Sequence, residues 1–288
     1  MISQNKKLLT YKSLIIDKST FQGTSTYKLQ GFVKNHFLIL STMLWYECST
    51  DDKDTNKSLS KRFGDVVSAG GYICEGGGNI VRKEAQALQP YGFLADLNET
   101  NKCRQALEEG AMLSNPKNIN DIRNSHVDSA KTYLDWYSIV AQEICQKKLD
   151  DVFVEVKQSK LNSQQRFERW TRIVDSLDIH KVAVRSKLSK SPEKYCLSGE
   201  WVTWHYIRMA VILAIEYEYH KGKPGDNQQE RVEHDIEDMD YAFLLSRADG
   251  LLTGDEKLVK PLAKAAFPQK DVFSSIDEVP EEYMCNWS

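Results

Sequence analysis

Two short apolar runs near the start of the chain limit the fold more than any other feature. "KSLIID" (residues 12–17) ends on Asp17, and "FLIL" (37–40) follows about twenty residues later. Each run is too short for a buried helix and too uniformly apolar for a strand with one wet face, so each reads as a buried strand. The stretch between them, "STFQGTSTYKLQGFVKNH", reads as loop and helix. "STMLWYECS" (41–49) reads as a helix with Ser41 or Thr42 as N-cap and Glu47 on its second turn. Strand, helix, strand, helix within residues 12–49 predicts a parallel sheet.

The pattern returns near the other end of the chain. "DMDYAFLLSRA" has the spacing of an amphipathic helix, "DGLLTGD" that of a turn, a short buried strand and a stop, and "EKLVKPLAKAAF" is helical with Pro261 kinking it or marking its early turn. "DVFSSIDEVP" offers a last short strand. Between these ends the chain reads as helices and loops: "NKSLSKRFGDVV", "ETNKCRQALEEGAML", a long pattern over 119–149, a basic amphipathic helix over 162–177 and a strong helix over 199–222. "DNQQ" (226–229) has capping-box spacing. The expected architecture is a three-layer αβα fold with a central parallel sheet. Residues 1–50 and 200–288 form the α/β core, and 51–199 form a mainly helical insertion.

Several function classes are excluded early. No run of 18 apolar residues exists, so no membrane span is expected. The N-terminus has no apolar h-region, which makes a cytoplasmic chain the expectation. The six cysteines stand at least 26 positions apart, which leaves no CxxC metal or redox motif. No HxxxH or HExxH occurs, and a lone His such as His205 reads as a packed structural residue. The overall charge of −3 announces no nucleic acid. Its distribution is uneven. Residues 157–194 hold ten Lys/Arg against four Asp/Glu, and residues 226–256 hold ten Asp/Glu against two Arg. An acid cluster can hold cations, and a basic surface can hold a polyanion beside them.

The acids fall at favoured places. Asp17 ends the first strand, Glu47 lies on the helix after the second, Asp235 and Asp238 share a helix face, and Asp255 follows the "GLLT" strand. Carboxylates that converge in a partly buried site need a counter-charge, and a hard divalent cation supplies one. The ordered set "SLIIDKSTF", "FLILSTMLWYE" and "DMDYAFLLSRADGLLTGDEKL" resembles the PIN-domain nucleases, with "TGD" (253–255) matching the family's last acidic motif. The resemblance covers roughly 12–50 and 225–280. The separation of Glu47 from Asp238 departs from a minimal member.

The resemblance implies metal-dependent phosphodiester hydrolysis, usually of RNA. Asp17, Glu47, Asp238 and Asp255 would bind Mg2+ or Mn2+, and Thr253 would orient the site. Asp235 and Asp240 are rivals for the third acid or its support. RNA is the expected partner, with single-stranded DNA as the other candidate. On the basic helix, Arg166, Arg169 and Arg172 would track phosphates while Phe167 and Trp170 stack on bases, against the alternative that both rings are core anchors. The Gly-rich stretch 68–84 reads as a flexible loop, with Arg82 and Lys83 behind it able to touch a phosphate. A strand-end Asp phosphatase is disfavoured, because Lys18 and Ser19 follow Asp17 where a second Asp is needed. The other class of function is a catalytically degenerate PIN-like scaffold that binds RNA or protein through its helical insertion.

Overall fold

The computed structural model describes residues 10–50, 56–109, 133, 136, 137, 149–186, 197–220 and 229–286. Five parallel strands form one sheet: β1 (Ser13–Ile16), β2 (Phe37–Ser41), β3 (Tyr72–Cys74), β4 (Gly250–Leu252) and β5 (Asp271–Phe273), in the spatial order β3-β2-β1-β4-β5. Every residue of β1, β2 and β4 is buried. Burial on both faces is why these strands read as continuous apolar runs rather than alternating ones.

Helices cover the sheet in a three-layer α/β arrangement. Between β1 and β2 lie α1 (Lys18–Gly23) and α2 (Thr26–Val33), and between β2 and β3 lie α3 (Thr42–Thr50) and α4 (Asn56–Ala69). The expected cap of α3 is Ser41, whose Oγ accepts from the Leu44 N–H at 3.1 Å. After β3 come α5 (Gly77–Ala87), α6 (Leu97–Glu108), α7 (Asp150–Gln158), α8 (Ser163–Asp175) and α9 (Ile179–Ser186). Then α10 (Val202–Tyr219) and α11 (Gln229–Leu244) lead to β4, and α12 (Val259–Ala266) joins β4 to β5. Pro261 falls in the first turn of α12, where its missing N–H costs no helix bond. Of the long pattern over 119–149, only 133, 136, 137 and 149 are described, and the first three residues of "DNQQ" lie outside the described residues. No helix among the described residues is long and apolar enough to cross a membrane.

The Gly-rich stretch 68–84 is not a flexible loop. It contributes β3, paired to β2, and then opens α5. The sheet therefore takes a strand from within 51–199. The glycine at the start of α5 is there for close approach. A Cβ on Gly77 would stand 1.9 Å from the Phe243 ring and 2.6 Å from Asp240 Oδ1.

Strand order fixes where a site can form. The chain steps outward from β1 to β2 and β3 on one side, and β4 and β5 extend the sheet on the other. The order reverses between β1 and β4, and the carboxyl ends at such a switch point form the crevice in which open α/β sheets bind ligands. Ile16 pairs with Leu252 in the register. The next residues, Asp17 and Thr253, therefore emerge side by side at that crevice.

Candidate active site

Asp17 is buried and does two jobs. Its Oδ1 caps α1 by accepting from the Thr20 N–H at 2.9 Å, and its Oδ2 accepts from Thr253 Oγ1 at 2.5 Å. Ser19 Oγ lies 2.8 and 2.9 Å from the two carboxylate oxygens and accepts from the Gly254 N–H at 2.8 Å. Thr253 Oγ1 in turn accepts from the Asp255 N–H at 3.1 Å. One hydroxyl thus joins the acids that end β1 and β4. Asp255 Oδ1 accepts from the N–H groups of Lys257 at 2.6 Å and Leu258 at 3.1 Å, which closes the turn before α12.

Glu47 comes in from α3. It is buried, accepts from the Tyr241 hydroxyl and has Lys18 Nζ 4.0 Å from Oε1. Burial pushes its carboxyl up to about 8. The Tyr241 bond and the Lys18 charge oppose this, and the charges of Glu237 and Asp238 add to it. Asp238, on α11, is the most exceptional of the set. Its carboxylate accepts no hydrogen bond and pairs with no cation among the described residues. It is pushed up to about 7, first by burial and then by Asp255, Asp235, Asp17 and Glu237.

The rival acids point elsewhere. Asp240 Oδ1 accepts from the Gly77 N–H at 2.8 Å, at the start of α5, and Oδ2 is buried without a partner among the described residues. Asp235 accepts from the Tyr217 hydroxyl and contributes to the field at Asp238. The sequence reading missed Glu237, which is buried and adds charge against Glu47, Asp238 and Asp240. Its signal was available: it lies one turn before Tyr241 on the same helix face.

The basic helix offers no aromatic surface on which a base could stack. Phe167 and Trp170 are core residues, 1% and 0% exposed, so no base can stack on them. Arg166 faces inward, with Nη2 2.6 Å from Glu216 Oε1, and Trp170 Nε1 donates to the same carboxylate at 2.7 Å. Arg169 pairs with Glu155 at 3.2 Å, and Arg172 is exposed, with Nε donating to the Glu168 carbonyl. Two of the three arginines are held by acids, and Arg172 alone is exposed. Arg82 donates to Asn79 Oδ1 at 2.7 Å, and Lys83 pairs with Glu75 at 2.5 Å; both stand on the outer side of α5. His205 is structural: Nε2 lies 2.9 Å from the Gly199 carbonyl oxygen, and burial holds the ring down at about 4.

Among the described residues no three His, Cys, Asp or Glu side chains are drawn together tightly enough to hold one metal ion. Backbone and hydroxyl donors turn Asp17 and Asp255 toward the chain. The donor set still suits a hard cation in kind, since every candidate ligand is a carboxylate oxygen. Comparison with protein-family profiles, with curated proteins and with solved structures finds no match.

The acids also fix a pH signature. Asp238 rises from 3.8 to about 7 on folding, so the unfolded chain ionises first as pH increases. The stability this group contributes is full below about pH 4 and is lost as pH climbs to about 7. Glu47 extends the loss toward pH 8. Without divalent metal, Asp238→Asn is expected to be more stable than wild type at pH 8, by about 2 kcal/mol after allowing for solvent at a partly exposed group. The gap should close near pH 4. Urea unfolding of both proteins at the two pH values measures it.

Proposed function

We propose that the chain is a divalent-metal-dependent nuclease that hydrolyses phosphodiester bonds, with RNA as its substrate. The observation that carries this reading is Asp238, a partly buried carboxylate that feels the charges of Asp255, Asp235, Asp17 and Glu237 and has no cation or donor among the described residues. A partly buried carboxylate in the field of like charges is costly unless a cation joins it. Asp17, Glu47, Asp238 and Asp255 would hold Mg2+ or Mn2+. Bound there, such an ion supplies Lewis acidity toward a phosphodiester and makes a water nucleophilic near neutral pH.

The chain's own residues prepare the site. Ser19 and Thr253 hold Asp17 from both sides, so its carboxylate keeps one orientation at the crevice. Tyr241 holds Glu47 from beneath. Lys18 offsets part of the negative charge beside Glu47, which eases approach of a polyanion. No nucleophilic Ser or Cys is required.

The test is cleavage of single-stranded RNA, duplex RNA and single-stranded DNA by purified protein in Mg2+, in Mn2+ and in EDTA. RNA is expected to be cut in either metal and left intact in EDTA. Cleavage that survives EDTA would overturn the metal requirement. Binding without cleavage in either metal would support the scaffold reading instead.

A further inference from the structure

A phosphodiester is an anion, and the acids at the switch point repel it from the crevice it must enter. The charges that act most on Asp17 and Asp238 are those of other acids, whereas a cation, Lys18, acts on Glu47. Lys18 follows Asp17 at the carboxyl end of β1 and opens α1, so the chain delivers it to the crevice together with the first acid. Its Nζ stands 4.0 Å from Glu47 Oε1. The side chain therefore runs from the end of β1 to the acid on α3.

The two partners differ in depth. The Lys18 side chain is 31% exposed and that of Glu47 is 9% exposed. Lys18 is thus the more open of the two to a molecule that arrives from solvent. Their separation is longer than a direct hydrogen bond, and Glu47 takes a hydrogen bond from the Tyr241 hydroxyl. Lys18 acts on Glu47 through charge and is not locked to it. An ammonium on a flexible four-carbon stem binds a phosphate oxygen as a point charge, without the fixed geometry that a guanidinium needs.

We propose that Lys18 is the substrate-binding cation of the crevice and donates from Nζ to a non-bridging phosphate oxygen of an RNA strand. The inference rests on the nuclease reading for the identity of that strand. The contact is made by charge and hydrogen bonding alone, and no covalent bond changes at Lys18. A lysine that served only to balance Glu47 would affect the acids and what they bind, and would leave the salt dependence of RNA binding as it is.

The test is the binding of a short fluorescein-labelled single-stranded RNA, followed by anisotropy over a range of KCl concentrations. Ca2+ is present as a hard cation that carboxylates accept, and the RNA is recovered and checked to be intact. Lys18→Met keeps the apolar stem and removes the charge. It is expected to weaken binding about tenfold, the size of one hydrogen bond to a charged group. The slope of log affinity against log salt should become shallower by about 0.7, the value for one phosphate contact on a single strand. Lys264→Met is the control. It removes the same charge from an exposed position in the last turn of α12, at the other end of that helix from Asp255, and should change neither quantity. Mn2+ should bind Lys18→Met at least as tightly as wild type, because a cation beside Glu47 has been removed. Wild-type affinity and slope in Lys18→Met would overturn the proposal, as would no measurable RNA binding by wild type or an equal loss in Lys264→Met. Loss of Mn2+ binding together with RNA binding in Lys18→Met would also overturn it, and would make Lys18 a structural partner of Glu47. An unchanged slope in an enzyme that cuts RNA ends the Lys18 assignment alone. A wild type that binds RNA but cuts it in neither Mg2+ nor Mn2+ ends the nuclease reading and leaves Lys18 to be judged by the slope.

Discussion

Replacement of Asp17, Asp238 or Asp255 by Asn is expected to lower the rate of RNA cleavage by about a hundredfold or more. Loss of an outer-shell partner of a metal site already costs about 10- to 100-fold, and these residues are proposed as ligands themselves. The substitutions preserve the scaffold. An Asn at 17 still accepts from the Thr20 N–H, so the cap of α1 survives. An Asn at 238 loses no hydrogen bond, because Asp238 accepts none among the described residues. Asp240→Asn is the internal control. Its carboxylate is turned to Gly77 at the start of α5, and its loss should reduce the rate less than about tenfold. Initial rates in saturating Mn2+ separate the two classes. If Asp240→Asn falls as far as Asp238→Asn, the third acid has been placed on the wrong residue.

The largest expected loss of stability lies away from the acids. Glu84, 1% exposed, gathers four donors: the Tyr91 N–H at 2.8 Å, the Val202 N–H at 2.9 Å, and the Thr203 N–H and Oγ1 at 2.7 and 2.6 Å. Helix α10 has no capping side chain of its own, so a carboxylate from α5 caps it. Glu84→Ala leaves three buried donors and the part-buried Tyr91 N–H unmatched. The cost is about 4 kcal/mol, since each stranded donor forfeits about 1–3 kcal/mol and neighbouring structure relaxes to recover part. Glu84→Gln keeps one acceptor oxygen and should lose about half as much. Urea unfolding at pH 7 measures both. A loss below about 1 kcal/mol for Glu84→Ala would mean that the start of α10 is held by something else.

Much of the α/β frame was legible because its strands obey one simple pattern. β1, β2 and β4 are buried on both faces and read as apolar runs with an acid or a cap at the carboxyl end. The places of Asp17, Thr253 and Asp255 followed from those runs. β3 was hidden because it has only three residues and sits among glycines. Glycine was read there as flexibility, whereas Gly77 serves the approach of Phe243. Which of the two readings of the basic helix holds was not legible, for a different reason. Charge content says nothing about direction, and the carboxylate that turns Arg166 inward stands 50 residues away, on α10. Glu84 shows the same blindness, with its partners on α10 118 and 119 residues further along. Local spacing finds caps and strand ends, but partners brought together by tertiary packing leave no periodic trace.

Arg208 illustrates what such partners do for the frame. It is buried on α10, donates to both oxygens of Asp175 at 2.6 and 2.8 Å, and reaches the Ala266 carbonyl at 2.8 Å. It therefore ties α10 to the ends of α8 and α12. Because α12 begins just after Asp255, this packing holds the β4 side of the crevice in place.

Whether the acids act together as a cation site is decided most directly by counting bound Mn2+. Free Mn2+ has an electron paramagnetic resonance signal that is lost on binding, so titration of wild type and Asp238→Asn at pH 7.5, without nucleic acid, gives stoichiometry and affinity for each. Wild type is expected to bind saturably, and Asp238→Asn about tenfold or more weakly, in line with the loss of one carboxylate ligand. Equal affinity in the two proteins, or no saturable binding by wild type, would contradict the site.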